Sequence, residues 1–231
     1  MEVVEEEKDL GYIIQDDLKV SQQCSKVVKT ANKILGMISR SFTYKSKDAI
    51  LQLYKSLVRP LLEYWVQAWR PHLQKDINLI EKVQRRATKL IDSFRNLSYH
   101  ERLLKLGITT LETRRIRDDL IETFKIMKRF SNVDYSDLFT VASNNLRGHS
   151  LKLFKTHFVS NCGKFVFANR VVDEWNLLTE EIVSSSSVLT FKIKLDKHLR
   201  CCRGFIYVYD FLPLWPVCKS FLLIGLHVKS R

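Results

Sequence analysis

Apolar residues recur at helical spacing along most of the chain. Val27, Val28, Ala31, Ile34, Leu35 and Ile38 gather on one side of a helix running from Ser21 or Gln22 to Arg40. Ser46 stands as the cap of a second helix that carries Ile50, Leu53, Tyr54 and Leu57. Pro60 has no backbone N–H and disfavours helix at Arg59, so a kink or break is expected there. The aromatic group Tyr64, Trp65 and Trp69 follows, at a spacing that reads as core before it reads as a base-stacking platform. From about Lys75 to Ser93 the pattern is two-sided. Ile80, Val83, Ala87, Leu90 and Ile91 share one face, while Lys82, Arg85, Arg86 and Lys89 share the opposite one.

Two capping boxes come next. Ser98-Tyr99-His100-Glu101 opens a short helix that Gly107 ends. Thr109-x-x-Glu112 opens a long one reaching about Phe130, with Ile116, Leu120, Phe124 and Met127 as its inward stripe. Arg114, Arg115 and Arg117 lie to either side of that stripe. Residues 131–148 are rich in Ser, Asn and Asp and read as a connector. Leu151-Lys152-Leu153-Phe154 reads as a short strand, Phe165, Ala168, Val172 and Trp175 fall near helical spacing, Ser184 to Ser187 form a linker, and Phe191 to Leu199 a last helix. At the other end Leu10, Tyr12 and Ile14 alternate, and Val3-Val4 could pair with them across a turn at Glu5-Glu6-Glu7. The fold class expected is mostly α: a helical bundle with a small N-terminal β element and a short strand in the C-terminal region. The expected segments are 1–20 (β element), 21–130 (basic bundle), 131–200 (small helical region) and 201–231 (an apolar tail interrupted by Asp210, Pro213, Pro216 and Lys219). Those interruptions leave no clean run of about 20 apolar residues, so no membrane association is expected.

Composition changes this picture in one respect. The formal net charge is +13, and residues 26–129 alone hold 23 Lys/Arg against 10 Asp/Glu, so the whole excess lies there. A segregated basic region is either a phosphate-binding footprint or a solvated helical surface. Five cysteines without regular spacing make no disulfide framework and fit a reducing, intracellular compartment, cytoplasmic or nuclear.

Little else carries chemistry. His198, Cys201, Cys202, Cys218 and His227 could be imagined as zinc ligands, but adjacent cysteines cannot replace a C-x₂-C pair, so no metal is expected. There is no nucleophile elbow, no phosphate-binding glycine loop and no dinucleotide fingerprint, so no cofactor is expected. Asp16-Asp17 looks like a pair that could hold Mg²⁺, but Ile14-Gln15 precede it and no upstream carboxylate would complete the site.

The central segment resembles a known family. Leu53-Tyr54-Lys55-Ser56-Leu57-Val58-Arg59-Pro60, Leu62-Glu63-Tyr64, Val66-Gln67-Ala68-Trp69 and Glu81-Lys82-Val83-Gln84-Arg85-Arg86-Ala87-Thr88-Lys89 are similar to the region that follows the catalytic core in jockey-like LINE reverse transcriptases, the polymerases of non-LTR retrotransposons. Lys8-Asp9-Leu10-Gly11 resembles the family's K-x-L-G segment downstream of the palm motifs. Phe167 to Leu178 resembles its R-V-V-x-x-W-N-x-L-P, with Thr179 in place of Pro as a possible helix cap. The resemblance spans about residues 8–200.

It implies a thumb, a helical bundle that grips nucleic-acid backbone, without the palm and its aromatic-x-Asp-Asp box. On that reading the chain is a fragment of an RNA-directed DNA polymerase and is not an enzyme on its own. Lys82, Arg85, Arg86 and Lys89 are the first candidates to meet RNA or DNA phosphates, weakly and without sequence preference, and Arg114, Arg115 and Arg117 the second. The alternative is a domesticated protein-interaction module using the apolar face once covered by the palm, which exposed Leu10, Tyr12, Ile14 and Trp65 would favour.

Overall fold

The computed structural model describes residues 6–9, 11–15, 19–142, 148–158 and 161–203. Over these the chain is mostly helical, with two small antiparallel sheets of two strands each. It divides into two compact units. The first holds the described residues up to Trp65 together with Trp69–Arg114; the second holds Val66–Ala68 and the described residues from Arg115 onward.

The first unit begins with a hairpin of β1 (Glu6–Asp9) and β2 (Tyr12–Gln15), paired from Glu6↔Gln15 to Asp9↔Tyr12. This corrects the expected turn at the acidic run: Glu6 and Glu7 are strand, and the reversal passes through Gly11. Gly11 sits at φ +86°, where a side chain would be strained, so the turn forms where glycine is available. Val3, Val4, Leu10, Asp16 and Asp17 lie outside the described residues.

Helix α1 (Ser21–Ser41) buries Val28, Ala31, Leu35 and Ile38 of the stripe its periodicity predicts, with Val27 and Ile34 half-buried at its margins and Cys24 added to it. Ser46 caps α2 (Lys47–Leu53), its Oγ accepting from the Ala49 N–H. Of the kink or break expected at Arg59, there is no break, and the helix is distorted just before it. A single π-helical turn, Tyr54–Val58, carries the chain straight into α3 (Arg59–Glu63). Pro60 cannot donate and its ring crowds the preceding turn; widening that turn, so that Arg59 N–H reaches Tyr54 O, relieves the crowding and keeps the helix going. The chain leaves the helix at Tyr64, and Trp65 takes a left-handed φ of +58°.

Helix α4 (Gln74–Lys89) stops short of Ser93, because Ile91 turns extended and Asp92 starts a 3₁₀ turn. Asp92 accepts the Lys45 N–H at 2.9 Å, tying this turn to the start of α2. Helix α5 (Tyr99–Leu106) has the full capping box between Ser98 and Glu101 and closes on Gly107 at φ +63°.

Helix α6 (Leu111–Met127) is capped by Thr110, one residue later than expected: Thr110 Oγ1, not Thr109, accepts the Thr113 N–H. The division between units falls within this helix, short of residue 130. In the second unit Ile116, Leu120, Phe124 and Met127 are buried as the stripe predicts, and Phe124 stacks on Phe191 at 4.1 Å between centroids. β3 (Thr140–Val141) pairs with β4 (Leu153–Phe154), which falls inside the expected short strand.

The region from 161 to 183 breaks into four short helices, α7 (Asn161–Phe165), α8 (Phe167–Arg170), α9 (Val172–Asn176) and α10 (Glu180–Val183). Thr179 stands at the start of α10 but makes no side-chain cap. The last helix, α11 (Val188–Arg203), is capped by Ser187, whose Oγ accepts from the Thr190 N–H. Among the described residues no helix is long and apolar enough to cross a membrane.

Candidate nucleic-acid interface

The rotation of α4 about its own axis is fixed by buried polar contacts. Two of its residues, Glu81 and Gln84, point inward. Gln84 Oε1 accepts the Tyr54 hydroxyl at 2.6 Å, and its Nε2 donates to the Thr109 carbonyl at 2.8 Å and to Tyr99 Oη at 2.9 Å. Glu81 accepts the Tyr99 hydroxyl on one oxygen and, on the other, the N–H of Leu111 at 3.0 Å. That backbone N–H opens α6, so the carboxylate satisfies one of the orphan donors of a helix start. Burial, with the Glu81 charge beside it, pushes the Tyr99 phenol well above its ordinary range, so it stays a donor. Tyr54 is raised in the same way by complete burial. At the other end of α4, buried Asp76 accepts from Ser21 Oγ at 2.6 Å.

Both carboxylates of α4 are therefore turned in, and only cations and neutral amides are left outside. Lys82, Arg85, Arg86 and Lys89 are all exposed, and Lys75 extends their row. Lys75, Lys82 and Lys89 recur every seven residues, so they stay nearly in line on the helix. From Lys75 to Lys89 the stripe is about 21 Å long at 1.5 Å per residue. Its flanks are held: the Arg85 guanidinium lies over the Tyr99 ring at 4.3 Å, and Arg86 Nη1 donates to Asn32 Oδ1 of α1 at 3.0 Å. A guanidinium stacked on a ring or held by one amide keeps donors for a phosphate.

The three arginines of α6 are placed otherwise. Arg114 grips Glu63 with Nε and Nη2, the latter at 3.1 Å. Arg117 grips Asp196 with Nε at 2.6 Å and Nη2 at 3.0 Å. Arg115 is buried, 3% exposed. A guanidinium taken out of water needs a carboxylate close by, and the fold supplies one to Arg114 and one to Arg117. Arg114 and Arg117 are thus committed to carboxylates of the protein itself, and Arg115 is enclosed, so none of the three stands out in solvent as the α4 cations do.

Of the residues that would favour a protein-binding apolar face, Tyr12 and Trp65 are buried at 9% exposure each, and Leu10 and the Ile14 side chain lie outside what is described. Burial lifts the Tyr12 phenol to about 12. Trp69 is enclosed, its Nε1–H given to the Tyr64 carbonyl at 2.6 Å, and Tyr64 is the exposed aromatic of that group, its ring tilted against Trp65 at 5.5 Å between centroids. Among the described residues no group of three or more His, Cys, Asp and Glu side chains could hold a metal ion. Cys218 and His227 are outside the described residues.

Two features of this site were not read from the sequence. Lys75 had a signal in its heptad spacing with Lys82 and Lys89. Gln84, which orients the helix, had none, since its partners come from Tyr54, Tyr99 and Thr109. In comparisons with known proteins the chain matches no family model, no curated protein and no solved structure.

Proposed function

We propose that this chain is a thumb-side portion of a jockey-like LINE reverse transcriptase, and that the exposed stripe of α4 binds RNA or DNA backbone weakly and without sequence preference. One observation carries the binding: α4 sends five cations outward and both its carboxylates inward, so its solvent face has one sign of charge. The kinship rests on the residues quoted above, among them the Glu81 to Lys89 segment that forms this stripe. Reading base edges would need side chains placed against a groove floor; a straight row of lysine and arginine is suited to phosphates. Polymerisation is not expected of these residues, because no aromatic-x-Asp-Asp box occurs among them.

The test is fluorescence anisotropy with mixed-sequence RNA and DNA over a salt series. Each phosphate contact lowers log K by about 0.7–0.9 per decade of salt. The Arg85→Ala, Arg86→Ala variant should therefore lose about 1.4–1.8 of the slope, two contacts' worth. Equal affinity and equal slope in parent and variant would overturn the reading. Primer extension on poly(rA) with Mg²⁺ should give no product, and product that vanishes in Asp16→Asn, Asp17→Asn would overturn the assignment as a non-catalytic portion.

A further inference from the structure

Beside β2, the outer face of α1 forms a shallow groove of about 580 Å³ whose walls include Gln22, Ser25, Lys26, Lys29, Thr30 and Lys33. Helix α1 contains four cations, Lys26, Lys29, Lys33 and Arg40, and no carboxylate. Lys26 is pinned, its Nζ donating to the Gly11 carbonyl at 3.0 Å. Lys29 and Lys33 are exposed, and neither is in an ion pair among the described residues. They stand one turn apart on the same side, with Cβ atoms about 5–6 Å from each other. Two exposed ammonium groups over a groove whose lining adds the Ser21, Ser25 and Thr30 hydroxyls, the Gln22 amide and Ile13 suit an anion that brings several oxygens in a row.

The groove is not isolated from the α4 stripe. Ser21 meets Asp76 and Asn32 meets Arg86, so α1 and α4 lie side by side and run in the same direction. Arg86 stands on the edge of the α4 stripe nearest α1, and Asn32 on the edge of α1 nearest α4. The cations of the two helices thus form two parallel rows meeting at one seam. Packed helices have axes about 8–10 Å apart, so a single polyanion can lie across both rows.

We propose that this α1 groove is a second phosphate-binding site, in which Lys29 and Lys33 take consecutive phosphates of a nucleic-acid strand that also lies on α4. The proposal rests on the α4 reading and extends its footprint to a helix that charge counting by segment does not distinguish.

The experiment compares four forms of the full chain on a single-stranded RNA 20-mer and on an RNA duplex, over a salt series. They are the parent, Lys29→Gln/Lys33→Gln, Arg85→Ala/Arg86→Ala, and the charge-matched control Lys47→Gln/Lys105→Gln, which removes two exposed lysines away from the groove. Circular dichroism and melting verify that all four are folded. The α1 pair should lower the salt slope by about 1.4–1.8 on at least one substrate, and the control should leave it unchanged. An α1 pair that behaves as the parent or as the control does, while the α4 pair loses slope, overturns the groove and leaves the α4 reading standing. Parent protein without salt-dependent binding overturns both.

Discussion

Asp119 and Arg170 form a two-pronged ion pair, Nε and Nη2 of the arginine each donating to a different carboxylate oxygen at 3.0 Å. Asp119 is 1% exposed, so this carboxylate depends on protein donors for its solvation. The same guanidinium also donates to three carbonyls, those of Val66 at 2.9 Å, Gln67 at 3.1 Å and Phe165 at 3.2 Å. One side chain thereby joins four separate stretches of the second unit.

Arg170→Met should lower stability by about 3–5 kcal/mol, because it strands a buried charge as well as removing the bonds. Urea unfolding measures this. Asp119→Asn in the same background should recover part of the loss, since a neutral amide tolerates burial better. A single variant within 1 kcal/mol of the parent, on the scale of an exposed pair, would contradict the finding.

Gln84 offers a sharper test of the interior of the first unit. Tyr54→Phe removes the hydroxyl given to Gln84 Oε1 and should cost about 1–3 kcal/mol, the range for an unmet buried acceptor. Gln84→Leu leaves the Tyr54 hydroxyl, the Thr109 carbonyl and the Tyr99 hydroxyl short of a partner, and should cost more than Tyr54→Phe. The reverse order in chemical denaturation would show that the amide does not hold these groups together.

His149 makes stability depend on pH. Its Nε2 lies 3.0 Å from the Trp175 carbonyl and so carries the proton, while its buried Nδ1 has no hydrogen-bond partner among the described residues. Protonation at Nδ1 would bury a charged N–H without an acceptor. Burial holds the folded pKa below the ordinary value of 6.5, aided by Lys152 and opposed by the Trp175 hydrogen bond and Glu180. The unfolded chain then binds more protons around pH 6, so stability rises with pH through this window and falls as pH drops below about 6.5. Melting temperature between pH 7.5 and 5.5 reads the effect, and His149→Gln should flatten the profile. An equally steep profile in that variant would assign the dependence to other groups.

Gly107→Ala should cost about 1–2 kcal/mol, because φ is +63° there and a Cβ meets the carbonyl in left-handed backbone. Thermal unfolding checks it. Gly36→Ala, in mid-α1 with Arg40 Nη1 3.5 Å from where a Cβ would stand, should instead be neutral or stabilising by about 0.5–1 kcal/mol.

What the chain alone determines is what repeats locally. The buried faces of α1, α4 and α6 follow from a period of 3.6 residues, the Ser46 and Ser98 caps from side chains that reach their own backbone three residues on, and the Gly107 cap from a backbone free to turn left-handed. The exposed position of Lys82, Arg85, Arg86 and Lys89 follows from the same period, since a residue opposite a buried stripe has nowhere to go but solvent. Tertiary structure decides whatever depends on a distant partner. Arg114 and Arg117 looked like further ligand contacts until Glu63 and Asp196, fifty or more positions away, closed on them. Pro60 signalled a kink or break, and the outcome is a widened turn before it that lets the helix run on to Glu63. The hairpin turns at Gly11 and not at the acidic run, because backbone conformation there outweighs the polarity of its neighbours. Helical period is a property of consecutive residues. Which charge is neutralised, and which is left to meet a phosphate, is settled only when segments far apart in the chain pack together.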